Sequence, residues 1–284
     1  MMLVNAKDLL NKAKIEKYAV AHLNINNLEW AKYILEETQS LNSPIILGVS
    51  LGAVKYMGGF NVVRSIVSSL IRDLNITIPV VLHLDHGTSF EACKSAIDAG
   101  FTSVMIDASK LSIEENIKVT KQVVDYAKQF DVSVESEVGA IGGDEDGVAN
   151  ELAYAKLEHC IRIARETNID FLAPALGSVH GLYKGEPKLD FEKMMEVNNE
   201  VNIPLVLHGG TGINDELIKK AISCGITKIN VNTELQIEWT KGVRQFIATD
   251  SSQYDPRHII GSGEENVKTA IRKKILLFGS NNKA

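Results

Sequence analysis

The chain is poor in cysteine, carries no excess of positive charge and has no long apolar run. Its three cysteines, Cys93, Cys160 and Cys224, form no CxxC pair. They read as reduced, buried thiols of a cytoplasmic protein. No stretch reaches the roughly 18 consecutive apolar residues of a membrane span. The first residues, Met1-Met2-Leu3-Val4-Asn5-Ala6-Lys7-Asp8, lack the apolar core of a secretory signal. Acidic side chains outnumber basic ones by 36 to 30, and the pI is about 5.7. That balance speaks against nucleic acid or an anionic membrane as partner. It leaves room for a small anionic ligand, which answers to local charge. No linker rich in Pro, Gly or Ser divides the 284 residues. A single domain over 1–284 is expected.

What the sequence does have is alternation. Short apolar runs at Tyr18–Ile25, Pro44–Ser50, Pro79–Asp85, Ser103–Asp107, Val132–Val138, Asp170–Ala175, Pro204–His208 and Ile226–Asn232 read as strands. Helical patterns separate them at 28–40, 61–73, 89–100, 113–129, 155–167, 190–200 and 215–224. Thr88-Ser-Phe-Glu91 and Ser112-Ile-Glu-Glu115 read as capping boxes, and Asn214 as a helix cap. The remainder, 234–284, is mostly helical and exceeds what a barrel needs. Eight strands, each followed by a helix, predict an α/β fold, a (β/α)8 barrel with extra C-terminal helices.

A barrel of this kind carries its active site at the C-terminal ends of its strands. Those ends read Asn24, Ser50, Asp85 with His86, Asp107, Glu135 with Glu137, the segment to His180, His208, and Asn230 with Asn232. Wet loops explain polar residues there, but not three histidines after strands 3, 6 and 7. Neutral imidazoles at His86, His180 and His208, with open positions for substrate, suit a catalytic divalent metal, with zinc the best fit. Asp107 and Glu137 can hold a second cation, orient the first ligands or form structural ion pairs. Side-chain alternation puts Val81, His83 and Asp85 on the inward face, and Val80, Leu82 and Leu84 on the other. His83 then reads as a core histidine, and His22, His159 and His258 as surface residues.

Gly209-Gly-Thr-Gly212 after strand 7 and Asn230-Val-Asn-Thr233 at strand 8 occupy the places where barrels often bind phosphate. Glycines there expose backbone amides. Lys184, four residues after His180, can add positive charge or simply be solvated. The stretch Gly139–Gly147 holds four glycines among its nine residues. It reads as a mobile loop, either solvated or delivering a carboxylate over the site.

With these residues placed, the chain resembles the class II, metal-dependent fructose-1,6-bisphosphate aldolases, in the subgroup shared with tagatose-bisphosphate aldolases. The matching motifs run nearly end to end: Tyr18-Ala-Val20, Asn24-Ile-Asn-Asn27, Leu82-His-Leu-Asp-His-Gly87, Phe101–Ser109, Gly142-Gly-Asp-Glu-Asp146, Leu172-Ala-Pro-Ala175, Ser178-Val-His-Gly181, Lys184-Gly-Glu-Pro187, Leu207-His-Gly-Gly-Thr-Gly212 and Lys228–Glu234. The resemblance implies zinc on His86, His180 and His208, and a second divalent or monovalent cation near Asp107 and Glu137. It implies that Asp85 handles the proton of the hydroxyl at the reacting bond, and that Glu145 removes the C3 proton of dihydroxyacetone phosphate. Gly181, Gly209, Gly210, Thr211, Asn230, Val231, Asn232 and Thr233 match the dihydroxyacetone phosphate site, and Ser50 a position near the aldehyde half. The activity implied is reversible cleavage of fructose 1,6-bisphosphate, in glycolysis and gluconeogenesis, by a cytoplasmic homo-oligomer, a dimer or tetramer. Tagatose 1,6-bisphosphate is the alternative substrate; Asn232 favours the fructose type. Two departures stand out: family members usually carry an aromatic where Leu23 stands, and His22 is unusual beside Asn24. Two rival enzymes are a Schiff-base aldolase on Lys228, and a zinc hydrolase, which usually places paired histidines on a first strand that here offers Asn24 and Asn26.

Overall fold

The computed structural model describes residues 3–145, 148–183 and 185–284, with only the backbone of 144, 145 and 148–150. Helix α1 (Ala6–Glu16) precedes β1 (Val20–Asn24), α2 (Leu28–Ser40), β2 (Ile45–Ser50), α3 (Leu51–Met57), α4 (Phe60–Asp73), β3 (Val80–Gly87), α5 (Phe90–Asp98), β4 (Ser103–Ile106) and α6 (Ile113–Ala127). Then come β5 (Ser133–Val138), β6 (Gly142–Glu145), β7 (Val148–Asn150), α7 (Leu157–Thr167), β8 (Phe171–Pro174), β9 (Val179–His180), α8 (Phe191–Val201) and β10 (Leu205–Leu207). The chain ends with α9 (Asp215–Ser223), β11 (Ile226–Val231), α10 (Thr233–Thr249), α11 (Pro256–Gly261) and α12 (Glu264–Phe278). Strands β1, β2, β3, β4, β5, β8, β10 and β11 close a parallel barrel in that order. The helices form the outer ring, so the expected (β/α)8 architecture is the observed one.

Parallel barrel strands are covered on both faces, which is why they read as apolar runs. Leu23, Leu47, Leu82, Leu84, Leu172 and Val231 face outward into the layer between strands and helices. Burying each contributes about 1.5–3 kcal/mol. The inward face is layered. At the bottom, Val20, Ile46, Val81, Phe171 and Val206 pack against Leu9, Leu10 and Ala13 of α1, which plugs that end. Above them, His22, His83, Glu135 and Lys228 are fully buried. The top layer holds Asn24, Asp85, Glu137 and Asn230.

Several expectations need correction. His22 is not on the surface; its inward position on β1 buries it completely. The residue capping α5 is Ser89, whose hydroxyl accepts from the Ala92 amide, so Thr88 does not open a capping box. The Ser112–Glu115 box is present. Helices α1 and α3 went unforeseen, although Ala6, Leu9, Leu10 and Ala13 recur at helical spacing behind the cap Asn5. The glycine-rich stretch contains a strand, β6, which pairs antiparallel with β7 beyond it and also pairs with β9. Asp146 and Gly147 of that stretch lie outside the described residues. No described helix is long and apolar enough to cross a membrane.

Candidate active site

Strict alternation would turn His86 away from the barrel, because Asp85 points in. The chain solves this with an irregularity. Pairing of β3 with β4 shifts register between Leu84 and Gly87, and His86 takes a left-handed φ of 49°. A bulge of this kind re-aims a side chain, and a non-glycine residue in that region is held there by its surroundings. The next residue has to be glycine: a Cβ on Gly87 would lie 2.7 Å from the Met105 carbonyl oxygen and 2.9 Å from Cys93 Sγ. Asp85 and His86 therefore both face the mouth.

His208 follows β10, and His180 ends β9. The three histidines converge. His86 Nε2 is 3.0 Å from His208 Nδ1, and His180 Nε2 is 3.4 Å from the same atom. Nitrogens bound at about 2.0–2.1 Å to one tetrahedral zinc ion lie about 3.3 Å apart, so the spacing fits. The opposite ring nitrogens of His86 and His208 are committed elsewhere. His86 Nδ1 meets Asp107 Oδ2 at 2.9 Å, and His208 Nε2 meets Glu135 Oε1 at 2.9 Å. Carboxylates in those positions fix the tautomer and leave the facing lone pairs for a metal. Burial, then neighbouring imidazoles, hold His180 and His208 well below the usual imidazole value, so both are neutral. His86 differs. Burial pulls it down, but the Asp107 hydrogen bond and the charges of Asp85 and Glu137 outweigh burial and hold it well above.

Asp107 is fully engaged, since Ser109 donates to its Oδ1 from both amide and hydroxyl. This arrangement suits orienting His86. His86, Asp107 and Glu137 also group closely enough to hold a cation. Burial first, and the Asp107 charge second, push Glu137 well above the usual carboxylate value.

Beneath the histidines the strand-end carboxylate Glu135 pairs with Lys228, the lysine of the Schiff-base rival. Lys228 Nζ donates to Glu135 Oε2 at 2.8 Å, with both side chains fully buried. Glu135 thus bridges Lys228 and His208. A Schiff-base lysine must present a free neutral amine to substrate; this ammonium is sealed under the site by a carboxylate. Breaking a buried pair leaves an uncompensated charge, costing roughly 3–5 kcal/mol. Lys228→Met is therefore expected to lower the thermal midpoint by at least about 6 °C. A midpoint unchanged within error would mean that the pair carries no such weight.

Asp85 stands at the cavity floor. Asn24 Nδ2 donates to its Oδ2 at 2.8 Å, and Asn230 Nδ2 approaches Oδ1 at 3.5 Å. Burial would raise its pKa, but the positive charges of His86 and Lys228 outweigh burial and hold it well below the usual value. Asp85 is a carboxylate at neutral pH, ready to accept a proton.

Around it, Gly181, Gly209, Thr211, Asn230, Asn232 and Thr233 line the same cavity as Asn24, His86 and His180. Asn232 precedes α10 without capping it by its side chain, which leaves its amide for a ligand. Thr211 Oγ1 accepts from the Glu234 amide and ties its loop to that helix start. Three sequence candidates sit differently. The Gly210 amide is used by the Asn230 carbonyl at 2.9 Å, Val231 points its side chain into the outer apolar layer, and Ser50 caps α3 in an adjoining cleft shared with Asn24 and Asn232. Lys184 lies outside the described residues, as does the side chain of Glu145. The backbone places Glu145 at the end of β6, two residues beyond Gly143, which is the partner of His180. Gly143 has φ +95°, and a Cβ there would lie 2.1 Å from the His180 carbonyl oxygen. Only glycine allows that approach.

The family model described as fructose-bisphosphate aldolase class-II matches residues 4–283. The chain is 56% identical over 285 aligned residues to the fructose-bisphosphate aldolase of Geobacillus stearothermophilus, covering 100% of this chain and 99% of that one. It is 54% identical to the fructose-bisphosphate aldolase of Staphylococcus aureus strain Mu50, with both chains covered in full. Among solved structures, the YdjI aldolase of Escherichia coli K12 superposes with a TM-score of 0.86 at 34% identity, over 100% of each chain. Converging imidazoles beside an ionised aspartate, in a barrel matched over almost its whole length, lead to one conclusion: this chain belongs to the class-II fructose-bisphosphate aldolase family.

Proposed function

We propose that the barrel mouth cleaves the C3–C4 bond of fructose 1,6-bisphosphate to dihydroxyacetone phosphate and glyceraldehyde 3-phosphate, and runs the reverse condensation, with zinc on His86, His180 and His208. The observation that carries this reading is the convergence of three imidazole nitrogens beside ionised Asp85. When bound there, zinc acts as a Lewis acid, polarising a substrate carbonyl and offsetting the negative charge that develops next to it. Asp85 accepts the proton of the C4 hydroxyl as the C3–C4 bond breaks and the aldehyde leaves. The bond's electron pair stays with the C3 fragment, and Glu145 returns a proton to C3. In the condensation direction Glu145 removes that proton and Asp85 protonates the new hydroxyl. Asn24 and Asn230 keep Asp85 aimed at one hydroxyl. The acidic group of Asp107 and Glu137 is open to a second divalent or monovalent cation.

The phosphate common to ketose and triose phosphate is assigned to the loop of Gly209 and Thr211 and to Asn232 and Thr233 at the start of α10. Ser50 and its cleft then face the aldehyde half. Names of the full-length relatives favour fructose over tagatose bisphosphate. The exposed Ile247 and Tyr254 near α10 and α11 support a homo-oligomer, and three free, buried cysteines support a cytoplasmic location.

The phosphate assignment is tested at Asn232. Replacing Gly210 would be ambiguous, because a Cβ there lies 2.7 Å from Ile229 Cγ2. A hydrogen bond to a charged group is worth roughly 1.5–3 kcal/mol, so Asn232→Ala is expected to raise KM for the bisphosphate about tenfold or more. Inhibition by a triose-phosphate analogue weakens in parallel. Unchanged analogue affinity would place the phosphate elsewhere.

A further inference from the structure

His22 has no part in the chemistry above, yet it is buried completely beside the residue that does. Its ring lies over β2 where only glycine leaves room: a Cβ on Gly48 would sit 2.1 Å from Cε1 and Nε2 of His22. No other described residue hydrogen-bonds to either ring nitrogen of His22, nor to Nε2 of His83, which lies 3.6 Å from Glu135 Oε2. Leaving such groups unsatisfied in a dry interior costs free energy, so each needs an explanation. His22 Nε2 is 3.8 Å from Asp85 Oδ1, too long for a direct hydrogen bond. One ring nitrogen of His22, one of His83 and a carboxylate oxygen of Asp85 all lie within 4.8 Å of one another. Two atoms hydrogen-bonded to the same water, each at about 2.8 Å and at the tetrahedral angle, lie about 4.6 Å apart.

We propose that His22 is a positioning residue for Asp85, acting through one internal water held by His22, His83 and Asp85. A buried water typically makes about three hydrogen bonds, and here two imidazoles with unsatisfied nitrogens converge with the Asp85 carboxylate. Burial keeps both rings neutral, so each offers one donor and one acceptor. A metal cation is the poorer occupant, because the Lys228 ammonium shares this layer and acts on both rings. His83 is anchored from behind, Nδ1 meeting Ser103 Oγ at 2.7 Å. Asn24 holds Asp85 firmly by one oxygen; the other has only the long 3.5 Å contact with Asn230, and the water adds a second hold on it, so that the carboxylate meets the substrate hydroxyl in one orientation. This inference rests on Asp85 being the group that handles that hydroxyl.

The zinc-loaded enzyme and its His22→Leu and His22→Gln variants are compared in two assays, cleavage of fructose 1,6-bisphosphate and proton exchange at C3 of dihydroxyacetone phosphate. His22→Leu is expected to lower kcat for cleavage about tenfold, a part of the roughly 10²–10⁴-fold that a whole acid–base group supplies. KM, zinc content and C3 exchange stay near the wild-type values. His22→Gln keeps a donor and an acceptor and restores most of kcat. Cleavage by His22→Leu at the wild-type rate, or an equal loss of cleavage and exchange, overturns the proposal. Wild-type cleavage in the same assay tests the underlying activity separately. If His22→Leu does not fold, a high-resolution structure of the zinc-loaded wild-type enzyme decides: the water appears within hydrogen-bond distance of His22 and Asp85, or the proposal fails. A bound metal at that point, in place of water, also overturns it.

Discussion

Replacing Asp85 by asparagine is expected to slow carbon–carbon cleavage by about 10²–10⁴-fold, the usual worth of an acid–base group, while C3 proton exchange on dihydroxyacetone phosphate stays measurable. The reason is positional. Asp85 is fixed on β3 and held by Asn24 at 2.8 Å, so it serves one hydroxyl and cannot follow a proton to C3. Asparagine keeps the shape and can still accept from Asn24, so the loss reads the missing base and not a collapsed site. Glu145→Ala has the opposite signature. Exchange falls strongly, because the carboxylate carried at the end of β6 is the one assigned to C3. Deuterium exchange and cleavage, run side by side with zinc content measured, separate the two roles. Exchange by Glu145→Ala at the wild-type rate would move the C3 proton to a group other than Glu145 and overturn this division of roles.

The second large effect is at the metal ligands. His208→Ala is expected to abolish both stoichiometric zinc binding and cleavage, leaving the far-ultraviolet circular dichroism of a folded barrel. His180→Ala behaves alike. Removing His208 takes away the nitrogen that both other imidazoles face, and two remaining ligands do not hold the ion against buffer. Glu135→Gln grades the same axis. It touches no metal but loses the carboxylate that fixes the His208 tautomer, and partners of that kind typically cost about 10–100-fold in metal affinity. Wild-type zinc content in either histidine variant would remove that residue from the ligand set.

The barrel was legible because its strands are buried on both faces and carry apolar runs, as at 45–47, 80–82 and 205–207. The inward set of β3 was legible too: Val81 does lie in the interior cluster, and Leu82 and Leu84 lie outside it. His86 was chosen as a ligand by residue type and place, since alternation alone turns it the wrong way. What brings it inward is a register shift and a left-handed backbone, neither of which a side-chain pattern encodes. His22 was legible and passed over, because it shares the inward face of β1 with Asn24 and the period of two places both inside. Glu135 and Lys228 could be placed on inward faces but not joined. Their strands are separated by 93 residues, and only closure of the barrel brings them together. The β6–β7 pair escaped because glycine-rich, acidic residues carry no strand signal; the close approach that requires Gly143 is visible only once His180 is beside it.

The central claim is that cleavage depends on a metal held by His86, His180 and His208, with Lys228 taking no covalent part. The most direct test is the rate of fructose 1,6-bisphosphate cleavage by the purified protein before and after EDTA treatment, then with zinc added back, beside a borohydride-trapping reaction on the same substrate. The rate should fall to background with chelator and return with zinc, and borohydride should leave no substrate attached to Lys228. Cleavage that persists without metal, with substrate trapped on that lysine, would contradict the account.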